Sequence, residues 1–284
     1  MSTEVDSMKI GVSSYSYARW MRETGASLLD VCRHAAKTGF DAIEFTTLGG
    51  DDRIAMAREL RALCEELGLD VAAYTVGADL ASGDGKSAVE ALCREIDIAK
   101  ALGAPILRHD VCFSLPEGMT WESAIEVMVP RIREVTSYAR EQGIRTSTEN
   151  HGFIFQDSAR VRALIEAVGD SNYGWLVDLG NFLCVDEPPE EAVRVAASYA
   201  IHVHAKDFYQ YTDPSTYPAA SLATRGDRRL VGTVVGRGVV PLPSCLATLR
   251  EAGYSGTLSL EFEGTEDVME AIAEGYRYLR VLTE

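Results

Sequence analysis

Four short stretches of the sequence end in side chains that can bind a metal ion or transfer a proton. They comprise residues 147–151, 177–181, 202–207 and 259–264. In each, a β-prone run turns abruptly into carboxylate, imidazole or amide, as expected where a buried parallel strand opens into a site. Two Glu, one Asp and one His would thereby converge. This oxygen and nitrogen set suits Mn²⁺, Mg²⁺, Co²⁺ or Zn²⁺ and lacks the thiolates that select Cu(I), so the sequence predicts a divalent metal site.

These stretches lie at the ends of the last strands in a regular alternation. Eight β-prone runs alternate with segments whose apolar residues recur at helical spacing. The runs cover residues 9–13, 42–46, 71–76, 105–109, 145–149, 174–178, 200–204 and 257–261. No phosphate-binding G-x-G-x-x-G follows the first run. The pattern therefore favours a single closed (β/α)₈ TIM barrel, an α/β fold, over an open doubly wound sheet.

Glycines and polar residues indicate where the helices end and begin. A Gly able to adopt the left-handed conformation precedes most of the runs. These glycines are Gly39, Gly68, Gly103, Gly143, Gly169 and Gly253. Ser27, Thr120 and Asp157 precede helical segments as N-caps. Pro130 should kink or split the helix that it interrupts.

One connection is longer than a barrel requires. Residues 208–240 follow the run that contains His204, and they are rich in Tyr and Arg. Long segments at this face are usually lids or subunit contacts, so we expect a lid beside the site or a contact within a homo-oligomer. No linker or repeat divides the chain. We therefore expect one domain over residues 8–284, preceded by a disordered tail of residues 1–7.

Composition and charge exclude several classes of partner. The chain of 284 residues is 46% hydrophobic and 25% charged, with 27 basic and 43 acidic residues and a net charge of −16. Such a charge repels nucleic acid and anionic membranes. The six cysteines show no C-x-x-C spacing and indicate a reducing compartment. The acidic N-terminus does not resemble a signal peptide, and no apolar run reaches ~18 residues. We expect a cytoplasmic protein that binds neither nucleic acid nor membranes.

From about Met8 onward, the sequence resembles the xylose isomerase-like (β/α)₈ barrel superfamily of sugar-phosphate isomerases and epimerases. Its relatives there include hydroxypyruvate isomerase, inosose dehydratase and ketose 3-epimerases. The motifs are Glu149-Asn150, Val177-Asp178-x-Gly180-Asn181, His204-x-Lys206-Asp207 and Glu261-Phe262-Glu263-Gly264, in order at the ends of strands five to eight. The resemblance implies a small carbohydrate substrate and one divalent ion, Mn²⁺ in the first place. It implies that the ligands are Glu149, Asp178, His204 and Glu261.

The chemistry of this family requires proton transfer beside a carbonyl group. A base, an acid and support for the charge of the enediolate are needed, and a divalent ion supplies the last as a Lewis acid. Glu149 and Glu261 enter from different strands and are the expected base and acid. An isomerase or epimerase is the first hypothesis. A dehydratase or lyase acting on a keto-sugar or keto-cyclitol is the second, and a non-catalytic carbohydrate-binding barrel is the weakest.

Two positions depart from the ketose 3-epimerases of the superfamily. Asn181 and Gln210 stand where those enzymes tend to have a His and an Arg that contact the sugar. This difference disfavours epimerisation of a free ketose. The form His204-x-Lys206-Asp207 is closer to the inosose dehydratase branch and to branches of uncharacterised isomerases.

Other polar residues near the strand ends are expected to contact the substrate. The candidates are Glu44, Arg108, His109, His151, Asn181, Lys206 and Arg237. Asp110 belongs to the same group as Arg108 and His109, and ion pairing among these residues and Glu44 is an equal alternative. Lys206 could instead pair with Glu261 or Glu263. His202 lies two residues before His204, on the same face and deeper, and should be a hydrogen-bonded core histidine.

Overall fold

Eight parallel strands close into a barrel in the computed structural model of the protein, which describes residues 8–283. The barrel strands are β1 (Lys9–Ser13), β2 (Ala42–Thr46), β3 (Asp70–Val76), β4 (Ile106–His109), β5 (Arg145–Glu149), β6 (Tyr173–Asp178), β7 (Ala200–Ala205) and β11 (Thr257–Leu260). They pair in the order β1-β11-β7-β6-β5-β4-β3-β2. The predicted TIM barrel is confirmed, and each strand lies within one residue of its predicted bounds. The predicted tail of residues 1–7 lies outside the described residues.

Helices surround the barrel and cover its outer face. They are α1 (Ala18–Thr24), α2 (Leu28–Thr38), α3 (Arg53–Leu67), α4 (Lys86–Leu102), α5 (Trp121–Glu141), α6 (Ser158–Val168), α7 (Pro189–Ala196), α8 (Leu242–Glu251) and α9 (Val268–Thr283). The hydrophobic core lies between strands and helices, with Trp175, Tyr74 and Phe45 among its largest buried side chains. Within the described residues, no helix is both long and apolar enough to cross a membrane.

Helix ends follow the sequence signals, with one exception. Ser27, Thr120 and Asp157 cap α2, α5 and α6 through their side-chain oxygens. The predicted terminating glycines all have positive φ, as the left-handed conformation requires. Pro130 does not split α5, which is one helix from Trp121 to Glu141. Buried side chains on both sides of the proline, Met128 and Ile132, anchor both halves to the core.

The register of the strands brings the polar ends of β5, β6, β7 and β11 together. Asp178 lies opposite His204, and His204 lies opposite Ser259, two residues before Glu261. All of these strands are parallel, so their C-terminal ends meet at one face of the barrel. The fold therefore gathers the predicted ligands without any further adjustment of the loops.

The long connection after β7 is not an irregular loop. It forms a three-stranded antiparallel sheet of β8 (Asp207–Tyr211), β9 (Leu222–Ala223) and β10 (Arg229–Thr233), which we call the insertion sheet. Its base is fixed by the buried carboxylate of Asp207, which accepts hydrogen bonds from four backbone N–H groups. The donors are Phe208, Gly236, Gly238 and Val240, at 2.8–3.0 Å. A side chain at Gly238 would collide with this carboxylate.

We expect Asp207→Ala to lower the free energy of unfolding by about 2–4 kcal/mol, because buried N–H groups lose a charged acceptor. Urea unfolding followed by circular dichroism measures the loss. Asp213→Ala is the matched control, since that exposed carboxylate also accepts a backbone hydrogen bond, from Ser215. Equal effects of the two substitutions would contradict the role of Asp207.

Candidate metal centre and substrate pocket

Four potential ligands converge at the C-terminal face of the barrel. Glu149, Asp178, His204 and Glu261 are buried, and each offers one donor atom within 4.8 Å of the others. His204 Nδ1 lies 3.3 Å from Glu261 Oε2, 3.6 Å from Asp178 Oδ2 and 4.0 Å from Glu149 Oε1. Buried polar atoms are normally paired, yet His204 Nδ1 and Asp178 Oδ2 have no hydrogen-bond partner. The donor set and these two facing atoms fit a divalent cation.

The other oxygen of Asp178 is already used by the backbone. Asp178 Oδ1 accepts hydrogen bonds from the N–H groups of Gly180 and Asn181, both at 2.8 Å. Asn150 fixes the same residue from the neighbouring strand: its Nδ2 donates to the Asp178 carbonyl and its Oδ1 accepts from the Asp178 N–H. Asp178 is thereby held with Oδ2 directed towards His204.

Glu44 hydrogen-bonds to Nε2 of His204, the ring nitrogen that does not face the cluster. Its Oε2 accepts hydrogen bonds from Nε2 of His204 and from Nε2 of His202, both at 2.8 Å. Burial alone would raise the pKa of the Glu44 carboxyl, but the two imidazoles hold that pKa below its usual value. A hydrogen bond at Nε2 fixes the orientation of the His204 ring and leaves Nδ1 for a cation. His202 is the hydrogen-bonded core histidine that the sequence predicted.

Glu149 is held by a cation and an amide. Arg108 Nη2 lies 2.7 Å from Glu149 Oε2 and 2.8 Å from Asp110 Oδ1. Asn181 Nδ2 donates to Glu149 Oε1 at 2.8 Å. Burial raises the pKa of the Glu149 carboxyl in spite of the opposing charge of Arg108. Asp110 also accepts a hydrogen bond from His151 Nδ1, so the Arg108 guanidinium and the His151 ring are connected through it.

Lys206 brings a second positive charge to the cluster. Its Nζ lies 2.7 Å from Glu261 Oε2 and 3.4 Å from Asp178 Oδ2. Burial opposes ionisation of the Glu261 carboxyl, but Lys206 and His204 hold its pKa well below the usual value. The ammonium group therefore compensates carboxylates that a divalent ion would also bind.

Two adjoining chambers open above the cluster. The inner chamber, about 230 Å³, is polar and is lined by Arg108, Glu149, His204, Lys206 and Glu261, among others. The outer chamber, about 610 Å³, lies between the loop after β5 and the insertion sheet. Tyr15, His151, Lys206 and Glu263 line both chambers.

The structure gathers most of the predicted substrate contacts at these chambers but not all of them. Arg108, His151, Asn181 and Lys206 line one or both. The remaining candidates, Glu44, His109 and Arg237, line neither.

Each of these three residues has another partner. Glu44 lies beneath His204. His109 follows Arg108 on β4 and faces the other way because side chains alternate along a strand. It is fully buried beside Tyr173, and burial lowers the pKa of its imidazole to about 4. Arg237 pairs with Glu274 of α9 through two contacts of 2.6 Å.

Asp110, for which the sequence left substrate contact and ion pairing equally open, pairs with Arg108 and His151. Two residues of the site were not among the predicted contacts. Phe113 and Phe153 line the outer chamber from loops. Their sequence positions carry no periodic pattern, so only the folded chain reveals them.

Comparison with known proteins supports the same fold. The sequence model of the family described as xylose isomerase-like TIM barrel matches residues 32–282. The chain is 23% identical over 186 residues to the 3-oxo-isoapionate decarboxylase of Pectobacterium atrosepticum, which covers 66% of this chain. The match spans 58% of the length of that relative.

Solved structures of similar shape cover nearly the whole chain. The IOLI protein, solved with a bound zinc atom, is 17% identical with a TM-score of 0.76, over 97% of this chain and 98% of that chain. D-psicose 3-epimerase from Clostridium cellulolyticum H10, solved with D-tagatose, is 18% identical with a TM-score of 0.74, over 98% of this chain and 100% of that chain. At these identities the similarity shows a shared fold.

We expect Glu44→Gln to weaken Mn²⁺ binding by ~10–100-fold, because the support behind a ligating histidine contributes to metal affinity by about this factor. Isothermal titration calorimetry measures the dissociation constant. Glu95→Gln is the matched control: this glutamate pairs with Arg53 and accepts a hydrogen bond from Tyr74, away from the cluster. Unchanged affinity in Glu44→Gln would show that Glu44 does not position His204 for a metal ion.

Proposed function

The chain belongs to the xylose isomerase-like TIM barrel family, and we propose that it is a divalent-metal-dependent enzyme that isomerises or epimerises a small sugar or sugar derivative. The observation that carries this proposal is the buried group of Glu149, Asp178, His204 and Glu261, in which Asp178 Oδ2 and His204 Nδ1 have no hydrogen-bond partner. Three buried carboxylates around one imidazole are costly unless cations compensate them.

The same four residues would hold the metal ion, for which Mn²⁺ is the first candidate and Mg²⁺, Co²⁺ and Zn²⁺ are alternatives. When bound, the ion supplies Lewis-acid polarisation of a carbonyl oxygen and stabilises the charge of an enediolate. The IOLI protein, which has a similar fold, was solved with a bound zinc atom, and this supports a metal-binding barrel.

Glu149 and Glu261 are the proposed proton-transfer groups. They enter from β5 and from the end of β11, with β6 and β7, which carry Asp178 and His204, between them. The two carboxylates thus flank the other two ligands. One removes a proton from the carbon beside the carbonyl group, and the other carries a proton to the opposite face or to the neighbouring atom.

The charged residues around the inner chamber orient the substrate. Arg108, His151 and Lys206 line it and offer N–H donors to hydroxyl or carbonyl oxygens. Arg108 and Asn181 also fix the carboxylate of Glu149, so the proposed base is held in one orientation. Such preorganisation favours proton transfer because the group need not reorient during the reaction.

A dehydrating lyase is the second candidate; the similarity to 3-oxo-isoapionate decarboxylase, a lyase that releases CO₂, supports the lyase class and not the loss of water. The same residues would remove the proton, and the substrate would then expel a β-hydroxyl group as water. Lys206, next to Glu261, is placed to donate the proton that the leaving hydroxyl requires. Product mass separates the two reactions, because isomerisation conserves it and dehydration lowers it.

A barrel that only binds carbohydrate is the weakest candidate. Cytoplasmic location and homo-oligomerisation stay predictions.

We expect the purified protein to bind about one Mn²⁺ per chain, as measured by elemental analysis after dialysis. Asp178→Ala and His204→Ala should each abolish this binding, because each removes a ligand that has no substitute nearby. Asp186→Ala, which removes a carboxylate near the insertion sheet, should keep the metal. Full metal content in both ligand variants would refute the site.

A solvent-exchange experiment tests the proton transfer itself. With a keto-sugar substrate in D₂O, the native enzyme should place deuterium on the substrate carbon. Glu149→Gln and Glu261→Gln keep an oxygen donor but lose the acid or base, so turnover should fall by ~10²–10⁴-fold while metal is partly retained. Mass spectrometry of the product reports both deuterium and dehydration.

The control for this experiment is Glu274→Gln, which removes a carboxylate outside both chambers. Its turnover should match that of the native enzyme. If both ligand variants lose metal and turnover in parallel, and excess metal restores turnover, the glutamates are ligands only.

A further inference from the structure

The outer chamber has properties that a free sugar does not require. We propose that it binds an apolar ring-bearing substituent, so that the substrate is a sugar or sugar acid carrying such a group. This inference rests on the proposed function, because it assigns the polar end of the substrate to the metal cluster.

Exposed apolar side chains concentrate at this chamber. Eight large hydrophobic side chains are exposed among the described residues, and four of them line it: Tyr15, Phe113, Phe153 and Leu222. Phe113 is 53% exposed, and its ring meets the His151 ring edge-to-face with 5.5 Å between centroids. Contiguous exposed apolar groups mark a binding site, whereas single ones need no explanation.

Two polar side chains of the outer wall are already occupied. Gln156 Oε1 accepts from the Phe153 N–H and its Nε2 donates to the Asn181 carbonyl, at 2.6 and 2.8 Å. The Asn181 amide donates to Glu149 and accepts from Lys206. The charged and phenolic side chains of the chamber also line the inner chamber, whereas Phe208, Leu222 and Leu230 line the outer one alone. A polyol against these apolar residues would leave hydroxyl groups without side-chain partners, which is unfavourable on burial.

The insertion sheet that completes the outer chamber is fixed to the barrel. Arg225 donates to the Phe153 carbonyl and pairs with Asp157 at 2.8 Å, and its backbone N–H donates to the Cys184 carbonyl. Phe153 has φ of 66°, an unfavourable value for a residue with a side chain. On the other side, a Cβ at Gly232 would lie 2.7 Å from the Glu263 carbonyl oxygen, so the sheet approaches the end of β11 closely. The apolar wall is therefore held in a fixed position by contacts between the insertion sheet and the barrel.

The proposal places one molecule across both chambers. The two chambers adjoin, because Tyr15, His151, Lys206 and Glu263 line the inner and the outer one. The combined space lies within the ~300–1,000 Å³ usual for pockets that take ligands of drug-like size. The oxygen-rich end would face Arg108 and Glu149, and the apolar ring would contact Phe113, Phe153 and Leu222.

Three hydroxamates test the proposal by isothermal titration calorimetry of the Mn²⁺-loaded full chain. All carry two adjacent oxygens that can chelate the ion: acetohydroxamate has a methyl group, 3-phenylpropanohydroxamate a ring, and D-erythronohydroxamate a polyol. We expect the phenyl compound to bind at least about tenfold tighter than acetohydroxamate, because its ring leaves water. The polyol compound should bind no tighter than acetohydroxamate.

Substitutions in the outer chamber test whether its side chains cause the tighter binding of the phenyl compound. Phe113→Ala and Leu222→Ser should remove most of the phenyl advantage while acetohydroxamate affinity stays unchanged. Met56→Ala truncates an exposed hydrophobic side chain outside both chambers, and this variant should keep the phenyl advantage. Equal affinity of the three compounds, tightest binding of the polyol, or a phenyl advantage that survives both substitutions would overturn this inference alone. Failure of all three compounds to bind would overturn the metal site of the proposed function, and the inference with it.

Discussion

His204 faces buried carboxylates from both of its ring nitrogens, and the arrangement of the site depends on this. Nε2 donates to Glu44 below, and Nδ1 faces Asp178 and Glu261 above. Buried carboxylates this close repel one another unless positive charge lies among them. Arg108 and Lys206 supply part of that charge from the rim of the cluster. The unpaired donor atoms at the centre leave a place for the charge of a divalent ion.

The barrel is the means by which residues far apart in sequence meet at this point. Parallel strands β5, β6, β7 and β11 are adjacent, so side chains at their C-terminal ends become neighbours through backbone register alone. The same geometry lets Asn150 of one strand end hold Asp178 of the next by two backbone hydrogen bonds. Loops and the insertion sheet then determine what fits above. The barrel strands position the candidate ligands, and the connections determine the shape and polarity of the chambers above them.

The sequence predicted the barrel and the convergence of Glu149, Asp178, His204 and Glu261, because both follow from local patterns. Strand bounds and helix ends depend on periodicity, on glycines such as Gly39 and on caps such as Thr120. His109 and Arg237 illustrate what local patterns cannot supply. His109 shares its strand end with Arg108 but takes the opposite face, and Arg237 finds Glu274 on the distant helix α9. The apolar outer chamber was not predicted either, since Phe113, Phe153 and Leu222 meet only through tertiary contacts.

We propose that one divalent ion lies among Glu149, Asp178, His204 and Glu261. X-ray diffraction at the manganese absorption edge, from crystals grown with Mn²⁺, tests this most directly. We expect one strong anomalous peak within ~2.0–2.6 Å of a donor atom from each of the four residues, with Lys206 moved away from Glu261. A structure without that peak, in which Lys206 still bridges Asp178 and Glu261, would contradict it.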